Sequence, residues 1–181
     1  RSFHVTGVQT CALPISHRYI RLAMAGRRSA AEPRSPEARL RSVARRDALT
    51  ALYEAEFGLR GCSEILERRI AAGEIPAEVA QHARQLVAIV AEHRPSLDAE
   101  IERLAPAFPL ATMHRIERSL LLGALGEVLH SRAAASAEAI AAWTALARTY
   151  SGEPARKLVN GVLGTAYRER SDQARSEEHT A

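Results

Sequence analysis

From Pro36 onward the apolar residues of this chain recur every three to four positions, the spacing that puts them on one face of a helix. Ser35-Pro36-Glu37 supplies a capping hydroxyl, a first-turn proline and an acid, the chemistry of a helix start. Leu40, Val43, Ala44, Ala48, Ala51, Leu52 and Ala55 then form a first stripe, closed between Gly58 and Gly61. A short second helix carries Ile65, Leu66 and Ile70 and stops at Gly73. Pro76 opens a third with Val79, Ala83, Leu86, Val87 and Val90. Pro95 kinks or restarts it, and Leu97, Ile101 and Leu104 continue it up to Pro106 and Pro109. A fourth starts near Ala111 and buries Met113, Ile116, Leu120, Leu121, Leu125, Val128 and Leu129. Ser136 caps a fifth with Ile140, Trp143, Leu146 and Tyr150, which Ser151-Gly152 ends. Pro154 begins a sixth with Leu158, Val159, Val162, Leu163, Ala166 and Tyr167. No segment alternates apolar and polar residues as a half-buried strand does. The pattern predicts an all-α fold, a compact bundle of about six to seven helices around one core.

Composition narrows the class. With 181 residues and 46% apolar content the chain has enough material for one core and is too apolar to be disordered. Its richest apolar stretch, Leu120 to Leu129, is interrupted by Gly123, Gly126 and Glu127, well short of a membrane span. A cytoplasmic protein is expected. The two ends stand apart from this pattern. Codons for Cys11-Ala12-Leu13-Pro14-Ile15 are the reverse complement of codons for Arg175-Ser176-Glu177-Glu178-His179, so both ends look like translations of opposite strands of one sequencing adapter. The expected organisation is adapter-derived residues over 1–16, a flexible arginine-rich arm over 17–36 and a helical domain over 37–170. A tail over 171–181 ends in adapter-derived residues. Without Cys11, Cys62 is the one native cysteine, which excludes a disulfide framework.

Charge is unevenly placed. Residues 17–46 hold nine arginines against Glu32 and Glu37, a net +7, while residues 47–174 carry a net −3. A basic arm on a mildly acidic body is the footprint of a polyanion partner. Codon bias accounts for arginine in place of lysine but not for the clustering. The inventory for catalysis is thin. Cys62 has no histidine close in sequence, His82, His93, His114 and His130 form no i, i+4 ligand pair, and Glu100 and Glu102 point to different sides of a helix. No enzyme activity, metal or cofactor is expected.

Two features of the last helix stand out. Asn160 and Gly161 interrupt an apolar stripe; a tight helix crossing, with Asn160 pinning a neighbouring helix end, is the expected structural role. Arg156 and Lys157 place cations in a first turn, against the helix dipole, where a bound phosphate would favour them. Trp143 and Tyr150 are expected in the core, with stacking on an unpaired base as the alternative.

Three segments carry a resemblance. Ala44-Arg45-Arg46-Asp47-Ala48-Leu49-Thr50-Ala51-Leu52-Tyr53 is similar to the opening helix of the NusB family of bacterial transcription antitermination factors. Ile116-Glu117-Arg118-Ser119-Leu120-Leu121-Leu122 resembles its fourth-helix motif, and Leu158-Val159-Asn160-Gly161-Val162-Leu163 its last-helix signature. The resemblance runs from about Pro36 to Glu169. It implies an RNA-binding protein without catalytic activity, which pairs with NusE, a small-subunit ribosomal protein, on the boxA element of nascent RNA. Such a pair helps RNA polymerase read through terminators in ribosomal RNA operons. By the same resemblance Arg39, Arg41, Arg45 and Arg46 would contact RNA, and Tyr53 and Glu117 would meet NusE. Single-stranded RNA is the expected form, and both a monomer and a homodimer fit the family. The family's Ile-Asn-Glu-Ala run reads Ile140-Ala141-Ala142-Trp143 here, its Tyr-Glu-Leu reads Gly126-Glu127-Val128, and Leu158 stands for an aromatic. Two alternatives remain open at this point: the RNA-binding front of a truncated Sun-type ribosomal RNA cytosine methyltransferase, and a helical interaction protein without RNA binding.

Overall fold

The computed structural model describes residues 35–132 and 136–178. The proposed adapter-derived N-terminus and most of the arginine-rich arm lie outside them. Among the described residues five helices follow one another: α1 (Pro36–Ala55), α2 (Cys62–Ala71), α3 (Ala77–Leu104), α4 (Arg115–His130) and α5 (Ser136–Glu178). Among the described residues there is no strand. The expected cap of α1 is in place, with the Ser35 hydroxyl accepting from the Ala38 amide at 3.1 Å and Pro36 in the first turn.

Three boundaries differ from the sequence pattern. Pro95 lies inside a continuous α3 rather than restarting it. Both Pro95 and Ala91, whose carbonyl loses its usual donor, are exposed, so the freed group faces solvent. The fourth helix begins at Arg115 rather than near Ala111, because Pro109 accepts the Thr112 and Met113 amides in turns that precede it. The fifth and sixth helices form the two arms of α5, joined at Gly152, whose φ of 86° and ψ of −168° break the helical path. That backbone is strained for any residue with a Cβ, so glycine serves as the corner here. The second arm continues through the polar residues after 170 to Glu178.

α4 is the axis of the core. Every residue from Ser119 to Val128 is buried, and α1, α3 and α5 pack around the helix. A helix enclosed on all sides needs room for its neighbours, which explains its two glycines. A Cβ on Gly123 would stand 2.4 Å from the Trp143 ring, and one on Gly126 would press on Val90 and Ile89. Trp143 is fully buried, and a side chain of that size dominates the local packing energy. The core completes itself with Ala44, Ala48, Leu49, Ala51 and Leu52 of α1 and with Ala155, Val159, Val162, Leu163 and Ala166 of the second arm of α5. Each fully buried leucine contributes about 1.5–3 kcal/mol.

Candidate nucleic-acid interface and partner face

The α1 arginines divide by helical phase. Arg45 is on the inward face with Ala44, Ala48 and Leu49 and is only 1% exposed. Its Nε and Nη2 donate to the two carboxylate oxygens of Glu127 at 2.8 and 2.7 Å. Trp143 Nε1 donates to the same carboxylate at 2.7 Å. Arg45 also reaches Glu138 at 3.2 Å, and Glu138 takes a two-bond contact from Arg41 at 2.8 and 2.6 Å. The Arg41 hydrogen bonds hold the Glu138 carboxyl below its ordinary value, and Glu138 in turn raises Arg41. The structure thus places Arg45, expected at the RNA contact, inside the protein, with its guanidinium held by Glu127 and Glu138. Arg41 is partly exposed but already paired.

Arg39 and Arg46 remain on the outside of α1. Arg46 lies close enough to Tyr150 to oppose, electrostatically, the rise that burial imposes on its hydroxyl. Arg156 pairs with Glu153 through an Nε–Oε1 hydrogen bond of 2.7 Å, while Lys157 is exposed. Asn160 and Gly161 overturn their structural role. Both are exposed, and nothing lies within 4 Å of a Cβ built on Gly161, so among the described residues no helix crosses there. The buried stripe Ala155, Val159, Val162, Leu163 and Ala166 fixes the inner face, and 160 and 161 fall on the opposite side with Lys157, Gly164 and Arg168. The phase of that stripe was the signal that could have placed them. Leu158 is half-buried against the core, as is Tyr150, and Trp143 is a core residue.

Tyr53 and Glu117 belong to a second face. Tyr53 meets Phe57 edge to face at 5.4 Å, and the Arg115 guanidinium sits 4.7 Å above the Phe57 ring. Glu117, two residues along α4, accepts from the Ser151 hydroxyl at 3.0 Å and lies 3.4 Å from His114 Nδ1. Phe57 and Arg115 were not singled out from the sequence, because a lone aromatic in a turn carries no periodicity. Beneath this face Arg94 donates to Glu56 at 2.7 Å and to Asp98 at 3.1 Å, and Arg118 joins Asp98 at 3.0 Å. These bonds tie the end of α1 to α3 and to the start of α4.

Burial raises the Cys62 thiol, away from a reactive thiolate. Among the described residues no group of three or more His, Cys, Asp or Glu is placed to hold a metal ion, and no helix is long and apolar enough to cross a membrane. Among the described residues the fold is all-helical, with exposed basic side chains on α1 and on the second arm of α5 and an aromatic and acidic cluster where α1 meets the start of α4.

The comparisons give that fold its family. The NusB family model matches residues 42–168, and the chain belongs to the NusB family. It is 34% identical over 143 residues to the transcription antitermination protein NusB of Roseiflexus castenholzii, covering 74% of this chain and 98% of that protein. It is 28% identical over 138 residues to the protein of the same name from Dehalococcoides mccartyi, covering 76% and 96%. Among solved structures, T. maritima NusB superposes with a TM-score of 0.65 at 25% identity, covering 71% of this chain and 91% of that one. A crystal structure of antitermination factors NusB and NusE in complex with dsRNA shares the fold, with a TM-score of 0.65 at 23% identity over 72% and 98% of the two chains.

Proposed function

We propose that this protein is a non-enzymatic antitermination factor that pairs with NusE, binds boxA-type single-stranded RNA and promotes read-through by RNA polymerase in ribosomal RNA operons. The observation that carries the reading is the family's helical domain over residues 42–168, retained here with Arg46, Lys157 and Asn160 on its outer surface. RNA meets Arg39, Arg46, Arg156 and Lys157, with Arg41 recruited only where a phosphate displaces Glu138. NusE docks on the separate face of Tyr53, Phe57, Arg115 and Glu117, where an aromatic ring and a carboxylate offer a cationic partner both stacking and charge.

The test is fluorescence anisotropy of a boxA-like RNA and a scrambled control, titrated at two salt concentrations with and without NusE. Tighter, sequence-selective binding in the presence of NusE is the expected result. Binding indifferent to sequence and to NusE would sink the reading.

A further inference from the structure

Glu117 is the third residue of α4, after the cap residue His114. A glutamate at that position commonly turns back toward the backbone amide of the cap of its own helix. Here one of its oxygens is engaged by a different element. The Ser151 hydroxyl of α5 donates to Glu117 Oε1 at 3.0 Å, across 34 residues of chain. We propose that Ser151 is a positioning residue of the partner face, whose hydroxyl holds the Glu117 carboxylate in the orientation that NusE binds. The inference rests on the NusE-pairing reading and adds to it a residue that acts on NusE only through Glu117.

The donor sits on a fixed backbone. Ser151 follows Tyr150, which packs against the core, and precedes Gly152, where the helical path of α5 breaks. Its bond to Glu117 is also partly shielded from water, since only 17% of the Glu117 side chain is exposed. A hydrogen bond to a charged group is among the stronger kinds, and more so where water is scarce. The other carboxylate oxygen, Oε2, lies 3.4 Å from Nδ1 of His114, whose side chain is 82% exposed. A contact that long, to a side chain that exposed, does little to orient a carboxylate. Oε1 is thus anchored by Ser151, and Oε2 is left for a cationic group of the partner.

Without the hydroxyl the carboxylate regains its alternative rotamers, its own helix cap among them. Ordering it then falls on the binding step, and affinity for the partner drops by that amount. Arg46 and Lys157, on the outer surface proposed to meet RNA, make no printed hydrogen bond to either residue. The loss is therefore specific to NusE.

The test is isothermal titration calorimetry of NusE into the full chain at neutral pH, comparing the parent with Ser151→Ala, Glu117→Ala and the double variant. RNA affinity without NusE and the thermal midpoint are read on the same proteins. The expected result is NusE binding weakened by about threefold to tenfold in Ser151→Ala, with RNA affinity and thermal midpoint near those of the parent. In the Glu117→Ala background Ser151→Ala should add nothing, because the two residues act as one unit. Unchanged NusE binding in Ser151→Ala overturns the proposal and leaves the NusE reading intact. A loss that adds in full to that of Glu117→Ala overturns it too, since Ser151 would then act by another route. A parallel fall in RNA affinity and thermal midpoint reduces Ser151 to a structural residue and overturns it as well. Failure of NusE to bind the parent sinks the functional reading itself, and this inference with it.

Discussion

Arg45 and Arg46 are consecutive residues on one helix and belong to different physical worlds. Arg45 is enclosed, bidentate to Glu127 and shared with Glu138; Arg46 is exposed, with only long-range influence on Tyr150 and Asp47. A hundred degrees of helical rotation separates an enclosed charge from an exposed one. An arginine-rich helix can therefore spend part of its charge inside the protein, and a count of basic residues overstates the surface offered to a polyanion.

The sharpest way to break this comparison is to remove the inner member. Arg45→Ala leaves Glu127 buried without its cation and leaves the Trp143 indole N–H on an unpaired buried carboxylate. Stability should fall by about 3–5 kcal/mol, the usual loss for one partner of a buried pair, as read from urea unfolding midpoints. A loss under about 1 kcal/mol would mean the centre is not closed to water.

Next in size is Gly123→Ala. Its added methyl would stand 2.4 Å from the Trp143 ring, which must shift and lengthen the indole contact to Glu127. Overpacking of this kind costs about 1–3 kcal/mol. Thermal unfolding and tryptophan fluorescence together check it, since Trp143 is the only tryptophan and should shift its emission. An unmoved emission would show that the ring is not in contact with Gly123.

How far the sequence revealed this arrangement depends on whether a residue's role is local. The helices were legible because apolar spacing is a local property, and the Ser35 cap and the Gly152 corner were legible as turn chemistry. The fate of Arg45 was not, because it depends on Glu127 and Glu138, 82 and 93 residues away in the chain. Trp143 and Gly123 explain each other only once α4 and α5 are side by side. Asn160 was misassigned for a different reason. Its residue type invited a buried hydrogen bond, whereas the phase of Val159, Val162 and Leu163 already turned it outward.

A smaller effect separates the centre from its rim. Glu138 bridges Arg45 and Arg41, and the hydrogen bond from Arg41 lowers its carboxyl from the usual 4.5. A carboxylate depressed in the folded state contributes stability that is complete above the unfolded value and is lost as pH falls through the folded one. The parent should therefore lose thermal stability more steeply than Glu138→Gln as pH falls below 4.5, and the two curves should run parallel above it. Parallel curves throughout would mean that the Arg41–Glu138 bond is open in solution.

The outer member gives the smallest change in stability and the most informative change in binding. Arg46→Ala removes no hydrogen bond seen in the structure, and a surface substitution of this kind stays within about 0.5 kcal/mol of the parent. Its RNA affinity should nevertheless fall for boxA-like and scrambled sequences alike, because a phosphate contact carries no base information. The slope of log K against log salt should become shallower by about one unit, the signature of one released counterion fewer. Arg45→Ala, measured on whatever fraction remains folded, should keep the parental slope. A reversed result, with the slope altered by Arg45 and untouched by Arg46, would mean that RNA opens the buried centre and binds what this structure encloses.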